Sequence, residues 1–323
     1  MQKIISKKKL PEFINSLIKK YEVIAPIKNT NSKFRKVNSF DEIYLDKITD
    51  IPAKSHFQPE NETLLEFKNN KPTESEGKIK KTILFGLRKC DLNAIQILDK
   101  VMYDKQYLSK RENTVLIGLF CENPDEFCFC NSMKLENYHD LFLFPKGRNY
   151  IINIGSKKGK ALVKNLPDAK KDAPNTNGCA ELRHKIPNPK NSKSLKNLEI
   201  SKNYKDKIWE KDADKCLSCS ACTINCPTCN CFDIKDSSNL DIKSDKRIRS
   251  SSSCQLKSFS KVAGGKSYRD SRISRFKHFV YHKISYYKSQ HGRPMCTGCG
   301  RCLRACPTKI DWVKTINKLP KKK

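Results

Sequence analysis

The chain has 323 residues, enough for about two cores. Hydrophobic residues make up 37% and charged residues 31%, and 65 lysines and arginines against 34 acids give a formal net charge of +31. No apolar stretch reaches the roughly 18 residues a membrane span needs, and no apolar segment follows the charged start, so neither a membrane span nor an export signal is expected.

Sixteen cysteines in a chain without an export signal read as metal ligands in a reducing, cytoplasmic setting rather than as disulfides. The lysines are spread along the whole chain, which suits a solvated surface or docking to acidic partner proteins. Nucleic acid would call for a concentrated basic patch, and none is expected as a partner.

Residues 9–20 place Leu10, Phe13, Ile14 and Leu17 on one face of a helix, and 21–27 read as a strand. Short apolar pieces at 34–37, 43–45 and 63–67 alternate with turn residues, and 69–80 reads as a polar loop. A β-rich run at 81–87 leads into a helix over 90–103, with Asp91 near its start, and then a strand over 114–120. This strand–helix–strand order predicts an α/β domain over residues 1–166, closed by strands at 141–144 and 150–154 and a helix at 157–166.

Residues 167–206 are rich in Lys, Asn, Pro and Ser and read as a polar linker or surface excursion. A short helix at 207–214 then delivers the chain to Cys216, Cys219, Cys222 and Cys226, followed at once by Pro227. The same spacings of two, two and three, with the trailing proline, recur at Cys296, Cys299, Cys302, Cys306 and Pro307.

That run is the one that ligates a [4Fe–4S] cluster in bacterial-type ferredoxins, where the fourth cysteine of each run serves the other cluster. Cys216, Cys219, Cys222 and Cys306 are therefore expected to hold one cluster, and Cys296, Cys299, Cys302 and Cys226 a second. The proline ends each loop, and Gly298 and Gly300 allow backbone amides to approach the sulfurs. Zinc also takes four thiolates, but structural zinc uses two separated cysteine pairs rather than a crowded quartet.

The two runs are separated by an insertion, 228–295, too long for a minimal ferredoxin. It holds Cys229, Cys231 and Cys254 and a basic-aromatic helix at 271–287, read as packed on the cluster domain. Gly264-Gly265-Lys266-Ser267 lacks the earlier glycine and the preceding strand of a phosphate loop, and no G-x-G-x-x-G is present. The fold class expected is α+β: the N-terminal α/β domain, then a two-cluster ferredoxin-like, mainly helical domain over 207–323.

Eight cysteines lie outside the quartets. Cys90 and Cys121 should fall at the C-terminal edge of a parallel sheet, where open α/β sheets build their sites, with Cys128 and Cys130 on the adjoining loop. A third metal centre, a docking surface and plain buried hydrophobes are all open readings of these four. Cys179 reads as a free thiol in the linker; Cys229, Cys231 and Cys254 lie near the first quartet by sequence alone.

With these residues in view the chain resembles the four-iron dicluster subunits typified by the beta subunit of cytoplasmic sulfhydrogenase and by its counterpart in anaerobic sulfite reductase. The resemblance covers nearly the whole chain: Phe85 to Leu92, Arg111 to Thr114, Cys128 to Cys130, Cys216 to Asp233, Ser253 to Gln255, Val262 to Gly265, and Cys296 to Asp311. Lys89 departs from the family's proline, and Ser220 and Lys309 from its glycines. Ser220 is expected to crowd its loop and alter hydrogen bonding to sulfur.

The resemblance implies an electron-transfer subunit, itself without a catalytic centre. It would relay electrons between a flavin-containing partner that handles NAD(P)H and a sulfite or sulfur reductase or hydrogenase partner. The residues alone agree, since they offer no acid, base or nucleophile constellation. The competing reading is an oxidoreductase with a metal or substrate site of its own around Cys90, Asp91 and Cys121.

Overall fold

The computed structural model describes residues 2–68, 71–74, 80–169, 193–238 and 244–320. The chain begins with a strand that its charged sequence does not announce, β1 (Gln2–Ser6), which pairs antiparallel with a strand far downstream. Helix α1 (Leu10–Ile18) follows, burying Leu10, Ile14 and Leu17, the face its periodicity predicts. Strands β2 (Glu22–Ile27), β3 (Lys33–Lys36), β4 (Asn61–Lys68) and β5 (Lys71–Glu74) come next. The piece at 43–45 forms only an isolated bridge between Ile43 and Ile27, and β5 lies inside the expected polar loop 69–80.

Strand β6 (Thr82–Leu87) is buried at all six positions, as befits an apolar run inside a parallel sheet. Helix α2 (Lys89–Leu98) is opened by Asp91, whose Oδ2 accepts from the Arg88 amide at 3.1 Å. Helix α3 (Lys105–Glu112) was not foreseen. It buries one side chain, Tyr107, and its start is held by Asp104 accepting from the Tyr107 amide, so it shows no apolar period. Strands β7 (Thr114–Leu119), β8 (Leu141–Lys146) and β9 (Asn149–Ile154) and helix α4 (Lys157–Leu162) complete the expected series.

Among the described residues the main sheet has the order β1-β9-β8-β7-β6-β2-β3, with β2, β6, β7 and β8 mutually parallel. Alternate residues of each central strand feed two cores on opposite faces. Ile83, Phe85, Ile117, Leu119, Leu141 and Leu143 join α1 on one side. Leu84, Leu116 and Phe142 join α2 and Tyr107 on the other. Gly86, at φ +81°, breaks this alternation, shifting the register so that Leu87 turns to the α2 face.

Residues 170–192, including Cys179, lie outside the described residues. The end of the expected linker is packed rather than solvated: Leu195 and Ile200 are buried beside Trp209. Helices α5 (Ile208–Lys215) and α6 (Ala221–Ile224) carry the first cysteine run. Within the insertion, β10 (Phe232–Ser238) and β11 (Ser244–Ser251) correct the expectation of a mainly helical region. All seven residues of β10 are exposed, so no apolar alternation marks it.

These two strands pair with β4 and β5 in a second sheet, β10-β11-β4-β5, which ties the insertion to the N-terminal part of the chain. Arg249 on β11 locks the join, meeting Glu62 on β4 and Asp104 at the start of α3, the latter at 2.7 Å. Helix α7 (Arg272–Tyr281) continues through a π-type turn into α8 (Tyr287–His291), and α9 (Arg301–Arg304) and α10 (Trp312–Lys318) end the chain. A third core gathers Phe276, Phe279, Val280, Trp312 and Ile316 with Phe129 and Cys90, and the cysteine runs pack against it.

His56, half-buried at the end of a short helical turn (Ala53–His56), faces Thr114 Oγ1 at 3.0 Å. Burial, helped by Lys110, lowers its pKa to about 4. The unfolded chain binds this proton from about pH 6.5 downward, so the folded state should hold full stability above that pH and lose it as pH falls toward 4. The urea midpoint of the native chain should therefore drop between pH 7 and 5. That drop should be smaller in His56→Gln; equal drops would remove His56 from the account.

Candidate metal centres

The two cysteine runs fold as copies of one loop. In the first, the Ser218 amide donates to Cys216 Sγ at 3.4 Å; in the second, the Gly298 amide donates to Cys296 Sγ at 3.3 Å. Each fourth cysteine meets the threonine two residues on, Cys226 with Thr228 Oγ1 at 3.3 Å and Cys306 with Thr308 Oγ1 at 3.5 Å. Trp312 Nε1 also donates to Cys302 Sγ at 3.5 Å, and the Ile310 amide to Cys306 Sγ at 3.4 Å. Sulfur takes such bonds best as thiolate, so this donor set fits cysteines bound to iron.

The loops turn through left-handed backbone at Ser218, Ser220, Gly298 and Gly300. Ser220 has φ +69° and a buried Oγ without a hydrogen-bond partner, and Lys309 has φ +55°. Both departures from the family pattern thus fall where glycine avoids a penalty of about 1 kcal/mol. At Gly298 a Cβ would lie 2.6 Å from the Cys130 backbone, and at Gly300 2.6 Å from that of Phe127. The second loop therefore stacks directly on residues 127–130, with the Phe129 amide donating to the Gly298 carbonyl at 2.8 Å.

Cys216, Cys219, Cys222, Cys302 and Cys306 line one cavity, walled by Phe276, Phe279 and Trp312. Burial pushes the thiols of Cys222, Cys296, Cys299 and Cys302 up, and the nearby sulfur of Cys226 adds to the push in all four. Cys226 thus stands within electrostatic reach of all three leading cysteines of the second run as well as of Cys222. So many sulfurs in an apolar setting become thiolates only around a cationic body.

Cys90 and Cys121 do sit at the C-terminal edge of β6 and β7, as the strand order predicted. Cys90 and Cys128 are buried, and Cys128 Sγ approaches the Cys299 carbonyl at 3.5 Å. Burial raises both thiols and that of Cys130, the last to about 12. Among the described residues no group of three or more Cys, His, Asp or Glu is arranged to hold a single metal ion. Cys90, Cys128 and Cys130 pack residues 127–130 onto the second loop, and a third centre has no support.

Among the buried cations that sequence reasoning missed, two stand beside the cysteine runs. Arg301, on α9, bonds Asp91 Oδ1 at 2.7 Å and the Thr49 carbonyl at 2.7 Å, joining the second loop to the start of α2. Lys283, on α7's continuation, donates to the carbonyl and hydroxyl of Thr228 at 3.3 Å, beside the first run's last cysteine. Both look like ordinary surface charges in a chain this rich in lysine and arginine. The arginine between Gly300 and Cys302, inside a tight ligand loop, was the one legible signal.

A family model described as a 4Fe–4S dicluster domain matches residues 215–310, which span both cysteine runs and the insertion. Sulfhydrogenase 2 subunit beta of Pyrococcus furiosus is 34% identical over 96% of this chain and 95% of its own length. No solved structure matches. Among the described residues no helix is long and apolar enough to cross a membrane. Both cysteine runs lie inside the matched domain, and the relative's likeness runs through the main sheet as well: the chain belongs to the sulfhydrogenase beta subunit family, iron–sulfur electron-transfer subunits of redox enzymes.

Proposed function

We propose that the chain holds two [4Fe–4S] clusters in the crossed arrangement of two-cluster ferredoxins and relays electrons through a cytoplasmic enzyme complex. Cys216, Cys219, Cys222 and Cys306 hold one cluster; Cys296, Cys299, Cys302 and Cys226 hold the other. The support for this reading is that the Cys226 sulfur bears on Cys296, Cys299 and Cys302 as well as on Cys222, and that Cys306 lines one cavity with the first run and Cys302. When bound, such clusters take up and release single electrons.

The chain's own residues supply the rest. Phe276, Phe279 and Trp312 exclude water from the first site, and paired amides and threonines orient the sulfurs. Cys219 is exposed beside exposed Leu217, so the first site reaches the surface where a partner can dock. The partners that fit the family are a flavin-containing reductase subunit on one side and a sulfite or sulfur reductase or hydrogenase subunit on the other. Iron and acid-labile sulfide in the anaerobically reconstituted chain should approach eight of each, two cubanes' worth. A plateau at about four or fewer would overturn the two-cluster reading.

Trp312 tunes the second site through its bond to Cys302. A donor to sulfur favours the more negative sulfur, hence the reduced cluster, so Trp312→Phe should lower one reduction potential by roughly tens of millivolts. An EPR-monitored redox titration reads this directly. Two unmoved midpoints would show that Trp312 only packs.

A further inference from the structure

Cys229, Cys231 and Cys254 belong to neither run, yet the fold brings them together. The Cys231 segment meets β11's end, where the Ser252 amide donates to the Cys231 carbonyl at 3.1 Å. Cys231 packs against the core that holds Cys254, and its thiol lies within electrostatic reach of those of Cys229 and Cys254. Gln255 Nε2 lies 3.9 Å from Cys254 Sγ, and the same nitrogen is fixed by the Arg275 carbonyl at 3.0 Å. Lys283, fully buried, sets its positive charge beside all three.

Cys229 and Cys254 are sealed from solvent, whereas Cys231 is half-buried. Cys231 lines a cavity of about 380 Å³ between residues 51–60 and the cluster-bearing part of the chain. Its walls mix apolar and polar groups, among them Ile51, Lys54, Gln58, Ser252 and Leu256. The arrangement pairs one sulfur open to a small molecule with a second, closed sulfur within reach behind it. That is the order an attacking and a resolving thiol require.

We propose that Cys231 and Cys254 are a redox-active dithiol that reduces a small disulfide admitted through this cavity. Cys231 sulfur attacks one sulfur of R–S–S–R, a Cys231–S–S–R bond forms, the substrate's S–S bond breaks, and one R–S⁻ departs. Cys254 sulfur then attacks the Cys231 sulfur, forming the Cys231–Cys254 disulfide and releasing the second R–S⁻. The two cysteine protons leave on the two products as R–SH, so the chain loses two electrons and the substrate gains them. Reopening the disulfide takes two electrons from two molecules of a low-potential one-electron donor such as reduced methyl viologen, and two protons from water. In the free dithiol the Cys231 thiol, and secondarily the Lys283 charge, hold the Cys254 thiol below its ordinary range; once Cys231 is in the mixed disulfide, the Lys283 charge is what remains to favour the resolving thiolate.

The exchange steps need no electron supply, so this proposal goes beyond the electron-transfer reading and fails or stands separately from it. The anaerobically purified full chain, clusters in place, is treated with bis(2-hydroxyethyl) disulfide, alkylated and mapped by peptide mass. The expected product is a Cys231–Cys254 linkage with two molecules of 2-mercaptoethanol released per chain. Cys254→Ser should trap a mixed disulfide on Cys231 with one molecule released, and Cys231→Ser should slow release at least about tenfold. Adducts forming on exposed Cys219 as fast as on Cys231 would overturn the proposal. So would iron lost from Cys231→Ser, since the three cysteines would then be metal ligands. The map of the native chain decides the matter even if a variant fails to fold.

Discussion

Arg301→Met should cost about 3–5 kcal/mol of stability, the loss typical of removing one partner from a buried ion pair. The Arg301 side chain has no exposure and Asp91 only 3%. Its three bonds run to Asp91 Oδ1, the Thr49 carbonyl and Thr49 Oγ1. Without the guanidinium, Asp91 is a buried carboxylate without a counter-ion, held only by the Arg88 amide on Oδ2, and the contact between the second cysteine loop and the start of α2 loses its polar bonds. A melting midpoint lower by roughly 10 °C is the expected reading in anaerobic scans.

Arg304→Met is the matching control. Arg304 is one turn on and pairs with Asp50 and Asp125 at 3.3 Å, but its side chain is 24% exposed. Partly solvated pairs of this kind contribute up to about 1 kcal/mol. A double change, Arg301→Met with Asp91→Leu, should recover much of the lost stability, because it removes the stranded charge along with its partner. If Arg301→Met melts with the native chain, the buried pair does not hold the two parts together.

Cys226→Ser should damage the cluster held by Cys296, Cys299 and Cys302, even though Cys226 belongs to the other run. Losing one thiolate of four should cost that cluster an iron or shift its potential, while its neighbour keeps its spectrum. Paired variants sharpen the reading. Cys226→Ser and Cys296→Ser should perturb one EPR signal, and Cys306→Ser should perturb the signal changed by Cys216→Ser. If Cys226→Ser and Cys216→Ser alter a common signal instead, each run holds its own cluster and the crossed assignment is wrong.

The two cysteine runs were legible because a cubane demands several thiolates from one short loop, which forces a spacing no other structure needs. The central strands were equally plain: β6 and β7 are nearly continuous apolar runs, and α1 repeats its buried face at helical spacing. Even Ser220 and Lys309 stood out against the family's glycines, and both prove to hold left-handed backbone.

Elements without an apolar signature were not legible. Strands β10 and β5 are exposed at every position described, and they form through pairing with β11 and β4 rather than through any pattern of their own. Strand β1 pairs with β9 from the far end of the main sheet, a partner no local window contains.

The sequence by itself determined where the two cysteine runs of the 4Fe–4S dicluster domain lie and which segments fill the two faces of the main sheet, because cysteine spacing and apolar period are local properties. Only the tertiary structure decided which charges are buried and which cysteines meet. Arg301 finds Asp91, Lys283 finds Thr228, and Cys231 finds Cys254 across segments separated by other elements. Such contacts arise when sheets and helices close on one another, and composition reads each of these side chains as one lysine, arginine or cysteine among many.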